Sequence, residues 1–178
     1  MKKAIIVWFA CVFFSATVAA AEPGGYLGVQ IASEGTYDDG AGGEANPGLI
    51  VFRGGMMLNP VFGIEARYGT GTSDDTFYSG PNAGVNLKLD SLLGAYAIGK
   101  LPLGEVFELY GALGYTRLAM TFSQGSTTVS ADGSSPSYGL GANLRWERWS
   151  AGIEFMRYYD KGGESFTVSS SATVTFHF

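Results

Sequence analysis

The chain is poor in charge. Of its 178 residues only 15% are Asp, Glu, Lys or Arg, against about a quarter in ordinary soluble domains. It has a single cysteine, Cys11, and a single histidine, His177. One cysteine excludes a disulfide framework and any zinc site built on cysteines. The net charge of −5 has the wrong sign for nucleic acid, which requires a basic footprint. Beyond the first 21 residues no apolar run approaches the ~20 residues of a spanning helix. What is abundant is apolar and aromatic: 46% hydrophobic residues, 14% aromatics and 27 glycines. A disordered chain could not leave so much apolar surface in water. The length suits one domain.

The N-terminus reads as an address. Lys2 and Lys3 precede a uniformly apolar stretch from Ala4 to Phe14, and the small residues of Ala16-Thr17-Val18-Ala19-Ala20-Ala21 follow. This is the layout of a secretory signal peptide over residues 1–21, with Ala19-x-Ala21 as the cleavage site. A membrane anchor is the alternative, but the apolar run is too short to span. Cys11 lies inside that run, so it leaves with the signal rather than carrying a lipid. Residues 22–178 then form one domain with nine basic and sixteen acidic residues, a net charge of −7, and no cysteine.

Through this domain, apolar residues recur at every second position, which is the strand period. Leu27, Val29 and Ile31 alternate with Gly28, Gln30 and Ala32. Phe62, Ile64, Ala66 and Tyr68 alternate with Gly63, Glu65, Arg67 and Gly69. Tyr138, Leu140, Ala142, Leu144 and Trp146 oppose Gly139, Gly141, Asn143, Arg145 and Glu147. Similar alternation around residues 50–58, 87–90, 110–122, 151–155 and 166–178 brings the count to eight strands. Short connections at Asn59-Pro60, Leu103-Gly104-Glu105 and Glu147-Arg148 alternate with polar ones at Gly35 to Asn46, Thr72 to Pro81, Ser123 to Pro136 and Asp160 to Ser165.

The orientation of the faces decides between a soluble barrel and a membrane one. One face carries large apolar side chains, and the other carries glycine with a few charges of both signs. A narrow eight-stranded lumen has room for little else. Aromatics gather at strand ends. Phe62, Phe107, Trp146, Trp149, Phe176 and Phe178 stand near the short turns; Tyr68, Phe122, Tyr138, Tyr159 and Phe166 stand near the long loops. Two aromatic belts, with short turns on one side and long loops on the other, mark a lipid-facing barrel. Strands in lipid must close on themselves, because an open edge leaves backbone groups unpaired. The expected fold is all-β: an eight-stranded antiparallel up-and-down transmembrane β-barrel, with a soluble secreted barrel as the alternative.

Several stretches resemble the small OmpX/OmpA-like outer-membrane β-barrel family. They include Gly48-Leu49-Ile50-Val51-Phe52-Arg53-Gly54-Gly55, the Asn59-Pro60 turn, and Phe62-Gly63-Ile64-Glu65-Ala66-Arg67-Tyr68-Gly69. Leu101-Pro102-Leu103-Gly104, Tyr110-Gly111-Ala112-Leu113-Gly114-Tyr115, Gly139-Leu140-Gly141-Ala142-Asn143-Leu144 and Glu154-Phe155-Met156-Arg157-Tyr158 add to the likeness. The final Phe178, with Phe176 two before it, resembles the C-terminal signal read by the outer-membrane assembly machinery, although Thr173 stands where that signal usually has glycine. The resemblance implies an outer-membrane location and a monomer whose partners are membrane lipids, lipopolysaccharide, the assembly machinery and an extracellular ligand of the loops. It implies no cofactor. Family members include adhesion and invasion factors and membrane anchors.

The candidate functional residues are the charges assigned to the lumen: Arg53, Glu65, Arg67, Lys88, Asp90, Arg117, Arg145, Glu147 and Glu154. Five are basic and four acidic, so they can nearly neutralise one another. Confined charges are tolerable when paired and hydrogen-bonded. The expectation is a plug of ion pairs, with a narrow pore for ions or small solutes as the alternative. Catalysis by a carboxylate pair would need a fixed separation that nothing in the spacing supplies. Small outer-membrane lipid A deacylases and palmitoyltransferases, which this chain resembles in scale, use a serine with a histidine. Here the lone His177 falls at the short-turn end, away from the outer leaflet, so no catalytic residue and no metal site is assigned. Asp38-Asp39 and Asp74-Asp75 read as solvated loop carboxylates, with loose binding of a hard divalent cation as the alternative. The expected role is structural or surface-interacting, through the outward loops.

Overall fold

A computed structural model describes residues 24–178; the expected signal peptide over residues 1–21 and its expected cleavage site lie outside the described residues. Eleven strands run β1 Gly25–Ala32, β2 Thr36–Asp38, β3 Glu44–Ala45, β4 Gly48–Met57, β5 Phe62–Ser73, β6 Asp75–Thr76, β7 Asn86–Leu103, β8 Phe107–Gln124, β9 Thr127–Trp146, β10 Trp149–Lys161 and β11 Glu164–His177. Eight of them, β1, β4, β5 and β7 to β11, pair antiparallel in chain order. The sheet closes where β1 meets β11, from Tyr26 opposite His177 to Ile31 opposite Ala172. This is the eight-stranded up-and-down barrel that the alternation predicts. Short β2 and β3 form a hairpin attached to the upper part of β11, and β6 pairs with β7.

The outside of the barrel is apolar. Leu27, Ile31, Leu93, Leu113, Leu140 and Ile153 are each more than half exposed. Soluble monomers seldom show contiguous apolar patches beyond a few hundred Å², so this surface requires lipid. Trp146, Trp149 and Phe62 ring the short-turn end, and Tyr68, Tyr115 and Tyr138 ring the other, all exposed. Phe122, Tyr159 and Phe166 are corrections to the upper ring: Phe166 and Tyr159 are buried, and Phe122 packs against the core.

Two of the four connections at the long-loop end are tight turns. Ser123 to Pro136 is not a loop: Ser123 pairs with Thr128 and Gln124 with Thr127, so β8 and β9 are joined at Gly125-Ser126. Lys161 likewise pairs with Glu164 across Gly162-Gly163. Serine, threonine and glycine there read as loop because a strand that has left the membrane faces water and needs no apolar alternation. Crossing lipid takes about 9–11 tilted residues. β8 has 18 and β9 has 20, so this hairpin continues well beyond the bilayer.

Inside, the barrel has two layers. Towards the short turns the inward residues are polar. Towards the long loops they form an ordinary apolar core of Leu49, Val51, Leu87, Leu89, Leu92, Leu118, Met120, Phe166 and Val168. The connections β1–β4 and β5–β7 fold over that core. Phe77 and Tyr37 meet edge-on at 6.0 Å, and Phe122 stacks beside Phe77.

Within the bilayer a closed ladder leaves no backbone group for detergent to compete for. Unheated protein is therefore expected to stay folded in SDS and to change electrophoretic mobility on boiling. Identical mobility before and after boiling would contradict the closed barrel.

Candidate functional site

The polar layer is built from inward residues of seven strands. In β5, Glu65 and Arg67 are two apart and so share the inner face; Arg53 of β4 stands directly opposite Arg67. Like charges facing each other across strands repel, and the carboxylates resolve this. Glu65 Oε2 accepts from Arg53 Nε at 2.9 Å and from Tyr26 OH at 2.8 Å, while Glu65 Oε1 accepts from Arg67 Nε at 2.6 Å. On the far wall, Glu154 of β10 takes Arg67 in a fork: Nη1 to Oε1 at 2.6 Å and Nη2 to Oε2 at 2.8 Å. Such bidentate, charge-assisted bonds are among the strongest in proteins. Arg53 Nη1 reaches Glu154 Oε2 at 3.4 Å.

Neutral side chains complete the network. Tyr110 OH donates to Glu154 Oε2 at 2.8 Å, and Gln30 Nε2 donates to Glu154 Oε1 at 3.0 Å and to Ser171 Oγ at 2.7 Å. Tyr158 OH accepts from Arg67 at 3.2 Å and donates to Gln30 Oε1 at 3.1 Å. The Arg67 guanidinium lies 4.7 Å from the Tyr96 ring centroid, and Tyr96 OH is hydrogen-bonded to Thr116. All four charged residues are buried, Arg67 to 1% and Glu154 to 2% exposure. Two glutamates and two arginines cancel in charge. Glycines make space for the rings: a Cβ at Gly141 would land on the Tyr110 ring, and one at Gly55 on the Tyr26 ring.

The structure therefore brings together Arg53, Glu65, Arg67 and Glu154, and it separates the other five candidates from them. Arg145 is on the inner face but half-buried, near the short-turn end. Asp90 sits in a bulge between Leu89 and Ser91, where it accepts from Thr121 at 2.6 Å. Lys88, Arg117 and Glu147 are corrections. Lys88 is exposed, because in the upper part of β7 it is Leu87 and Leu89 that point inward. Arg117 is exposed and pairs with Asp132 at 2.9 Å on the outer surface of the hairpin. Its neighbours Thr116 and Leu118 are buried because the interior at that height is an apolar core. Glu147 stands in the tight β9–β10 turn with φ of 51°. Tyr110 is also buried in the lumen.

Tyr26, Gln30, Tyr96, Tyr110 and Tyr158 were missed as members of the network. For Tyr26 and Gln30 the signal was present, since both share the parity of Gly28. Tyr158 likewise shares the parity of Glu154.

His177 lies at the short-turn mouth, with Nε2 2.9 Å from Ser150 Oγ. Lys100 and Glu108 pair beside it at 3.0 Å. At the long-loop end, Asp39 accepts from the backbone N–H of Ala41 and Gly43 and from the Asn82 amide. Burial acts to raise its pKa, but these donors outweigh that and hold it below the usual carboxylate range. Asp75 accepts from Asn46 N–H at 2.6 Å. These two carboxylates tie one connection to the other, while Asp38 caps the N–H of Gly40 and Asp74 is exposed.

Comparison with known proteins agrees with this architecture. A family model described as outer membrane protein beta-barrel domain matches residues 5–178. The chain belongs to that family. Among solved structures it is similar to Ail, the attachment invasion locus protein of Yersinia pestis, at 14% identity and a TM-score of 0.66, over 89% of this chain and 100% of that one. Neisserial surface protein A matches at 14% identity and 0.63, over 86% and 97%. The N-terminal barrel domain of Pseudomonas aeruginosa OprF matches at 15% and 0.57, over 88% and 100%. No curated protein matches. The chain is thus a protein of the bacterial outer membrane, and its apolar belt contacts the lipids of that membrane.

Replacing Glu65 with Ala leaves two buried guanidiniums short of their carboxylate. Breaking a buried pair in this way typically costs ~3–5 kcal/mol. Glu65→Ala is therefore expected to lower the urea midpoint of the refolded barrel, whereas Arg117→Ala, at an exposed pair, should cost about 1 kcal/mol or less. Equal, small effects would show that the lumen charges are hydrated.

Proposed function

We propose that this protein is a non-enzymatic, monomeric outer-membrane barrel with a closed lumen, acting as a structural and surface-interaction protein through its long-loop end. In this reading residues 1–21 direct export and are removed, and Phe176 and Phe178 serve the assembly machinery. Lipopolysaccharide surrounds the upper belt, and the long-loop end faces out of the cell. The observation that carries the reading is the filled interior. Ion pairs and tyrosines occupy the lower half, apolar side chains the upper half, and two connections tied together by Asp39 and Asp75 lie over the top. Ions cross a barrel through wetted, accessible charges; here the lumen charges are consumed by one another. The Ser150–His177 contact is at the wrong end for outer-leaflet chemistry and engages no carboxylate in the hydrogen bonds of the described residues.

The ligand of such a surface is set by its charge. A structure of Ail from Yersinia pestis holds the heparin analogue sucrose octasulfate. In this chain, residues 33–47, 74–91, 117–135 and 157–164 at the long-loop end carry ten acidic and four basic residues. A polysulfate would meet repulsion there, and cationic partners are favoured.

Refolded protein in planar bilayers is expected to give no steady conductance. Epitopes inserted after Gly40 or Gly125 should be reached by antibody on whole cells, and one at Asn59 should not. Steady wild-type conductance would replace the closed barrel with a pore, and reversed labelling would invert the orientation.

A further inference from the structure

The lumen is not filled at its short-turn end. Below the network of Arg53, Glu65, Arg67 and Glu154 a recess opens between the strands. Tyr26, Lys100, Asn143, Ser150, Thr175 and His177 line it, and Arg53 reaches it from within. Its enclosed part admits about one water-sized group. Residues directly opposite each other on paired strands share a face. Ser150 stands opposite Thr175 on one side and Arg145 on the other, which brings Arg145 to the same rim.

Charge does not cancel in this recess. The four network residues are neutral as a group, so the balance is set below them. There Lys100 and Arg145 are positive. Glu108 is the one carboxylate that bonds to the lining below the network among the described residues, 3.0 Å from Lys100 Nζ and 3.3 Å from the Asn143 amide. Arg145 enters no ion pair among the described residues. The mouth is left with one uncompensated positive charge. The Lys100 side chain is only 9% exposed, and its ammonium stands 5.6 Å from the Tyr26 ring centroid. An ammonium carries three N–H donors, of which Glu108 takes one. A charge so far out of water is costly without a counter-charge.

We propose that this recess binds one small monovalent anion, a halide or the head of a carboxylate, between Lys100 and Arg145. The uncompensated charge sets both sign and valence: one negative charge neutralises the mouth, and a cation would add to the excess. The size of the enclosed part sets the class. Sulfate and phosphate are too bulky for it, and a second negative charge would overcompensate. Lys100 supplies charge-assisted hydrogen bonds, Arg145 supplies its field, and Ser150 and Thr175 add hydroxyls to the wall. Further in, Arg53 is committed to Glu65 and Glu154, so the anion meets a dead end. The site binds and does not conduct. The inference is independent of what the long-loop end recognises.

The test uses the refolded full-length mature protein in neutral detergent, with sodium chloride as the probe and the chlorine NMR line width as the readout. Bound chloride relaxes faster and broadens the line. The excess broadening should saturate with chloride and be reversed by formate, but not by sulfate at equal ionic strength. The formate competition also shows whether a halide or a carboxylate is the preferred occupant. Arg145→Gln and Lys100→Met should each weaken chloride binding about ten-fold, and Glu108→Gln, which removes the competing carboxylate, should tighten it by a similar factor. Arg117→Gln, at the far end of the barrel, should leave it unchanged. A purely structural Lys100–Glu108 pair would make Lys100→Met and Glu108→Gln act in the same direction, so their opposite signs separate the two roles. Retention of the boiling shift shows that each variant is folded. If Lys100→Met does not refold, Arg145→Gln and Glu108→Gln carry the test. Absence of saturable broadening in the wild type would leave the recess to water and overturn the proposal. Unchanged binding in Arg145→Gln and Lys100→Met would place the chloride elsewhere and overturn it as well. Displacement by sulfate as readily as by formate would overturn the small monovalent class. The closed-lumen reading is untouched by each of these results, since it stands on conductance.

Discussion

The interaction on which the structure depends is the pair of carboxylates that hold two arginines apart inside the barrel. Arg53 and Arg67 face each other across β4 and β5, an arrangement that repels if left alone. Glu65 takes an oxygen to each, and Glu154 grips Arg67 from the opposite wall. The bonds tie β4 and β5 to β10, which adjoins neither of them in the sheet. A barrel ladder by itself joins only adjacent strands. The network therefore braces the cylinder across its diameter, and a register slip of one residue would turn these charges into lipid. That penalty helps to specify a single registration for the closed sheet.

The barrel interior changes character along its axis because its exterior does. Where lipid surrounds the strands, large apolar side chains point outward and the narrow inside is left for polar groups and glycine. Where the strands rise into water the preference reverses, and Leu87, Leu89, Leu118 and Phe166 turn inward. β7 accomplishes the reversal with the bulge between Leu89 and Ser91, and β11 with a register shift near Ser169. β8 keeps one parity throughout, so Tyr110 at its lower end and Met120 at its upper end share the inner face.

This explains which parts were legible in the amino-acid sequence. Strand number, closure and the short turns follow from period-two alternation, which lipid enforces strictly. Glu65, Arg67 and Glu154 were legible because each stands among outward apolar neighbours such as Ile64, Ala66, Ile153 and Phe155. Lys88 and Arg117 were not, because the rule that polar residues face inward holds only within the bilayer. A one-residue bulge inverts the parity without leaving a compositional trace. The tyrosines of the lumen were obscured for a different reason. An aromatic ring on a strand satisfies a lipid-facing reading equally well; for Tyr110 it is the glycine across the ladder, Gly141, that shows the ring lies inside.

The braced lower barrel and the projecting hairpin are mechanically related. An unpaired strand edge in a free soluble protein invites aggregation. Here its base is fixed by the closed ladder, and the barrel is held in a plane by its apolar belt, so two copies meet only side by side. Ten acidic against four basic residues at that end then place like charges between approaching edges. This repulsion acts over roughly a Debye length, about 8 Å at physiological salt. That distance exceeds the 4.7–4.9 Å spacing of paired strands, so edges of like copies repel before their backbones can register. The excess of negative charge therefore disfavours pairing of this edge with a second copy of itself.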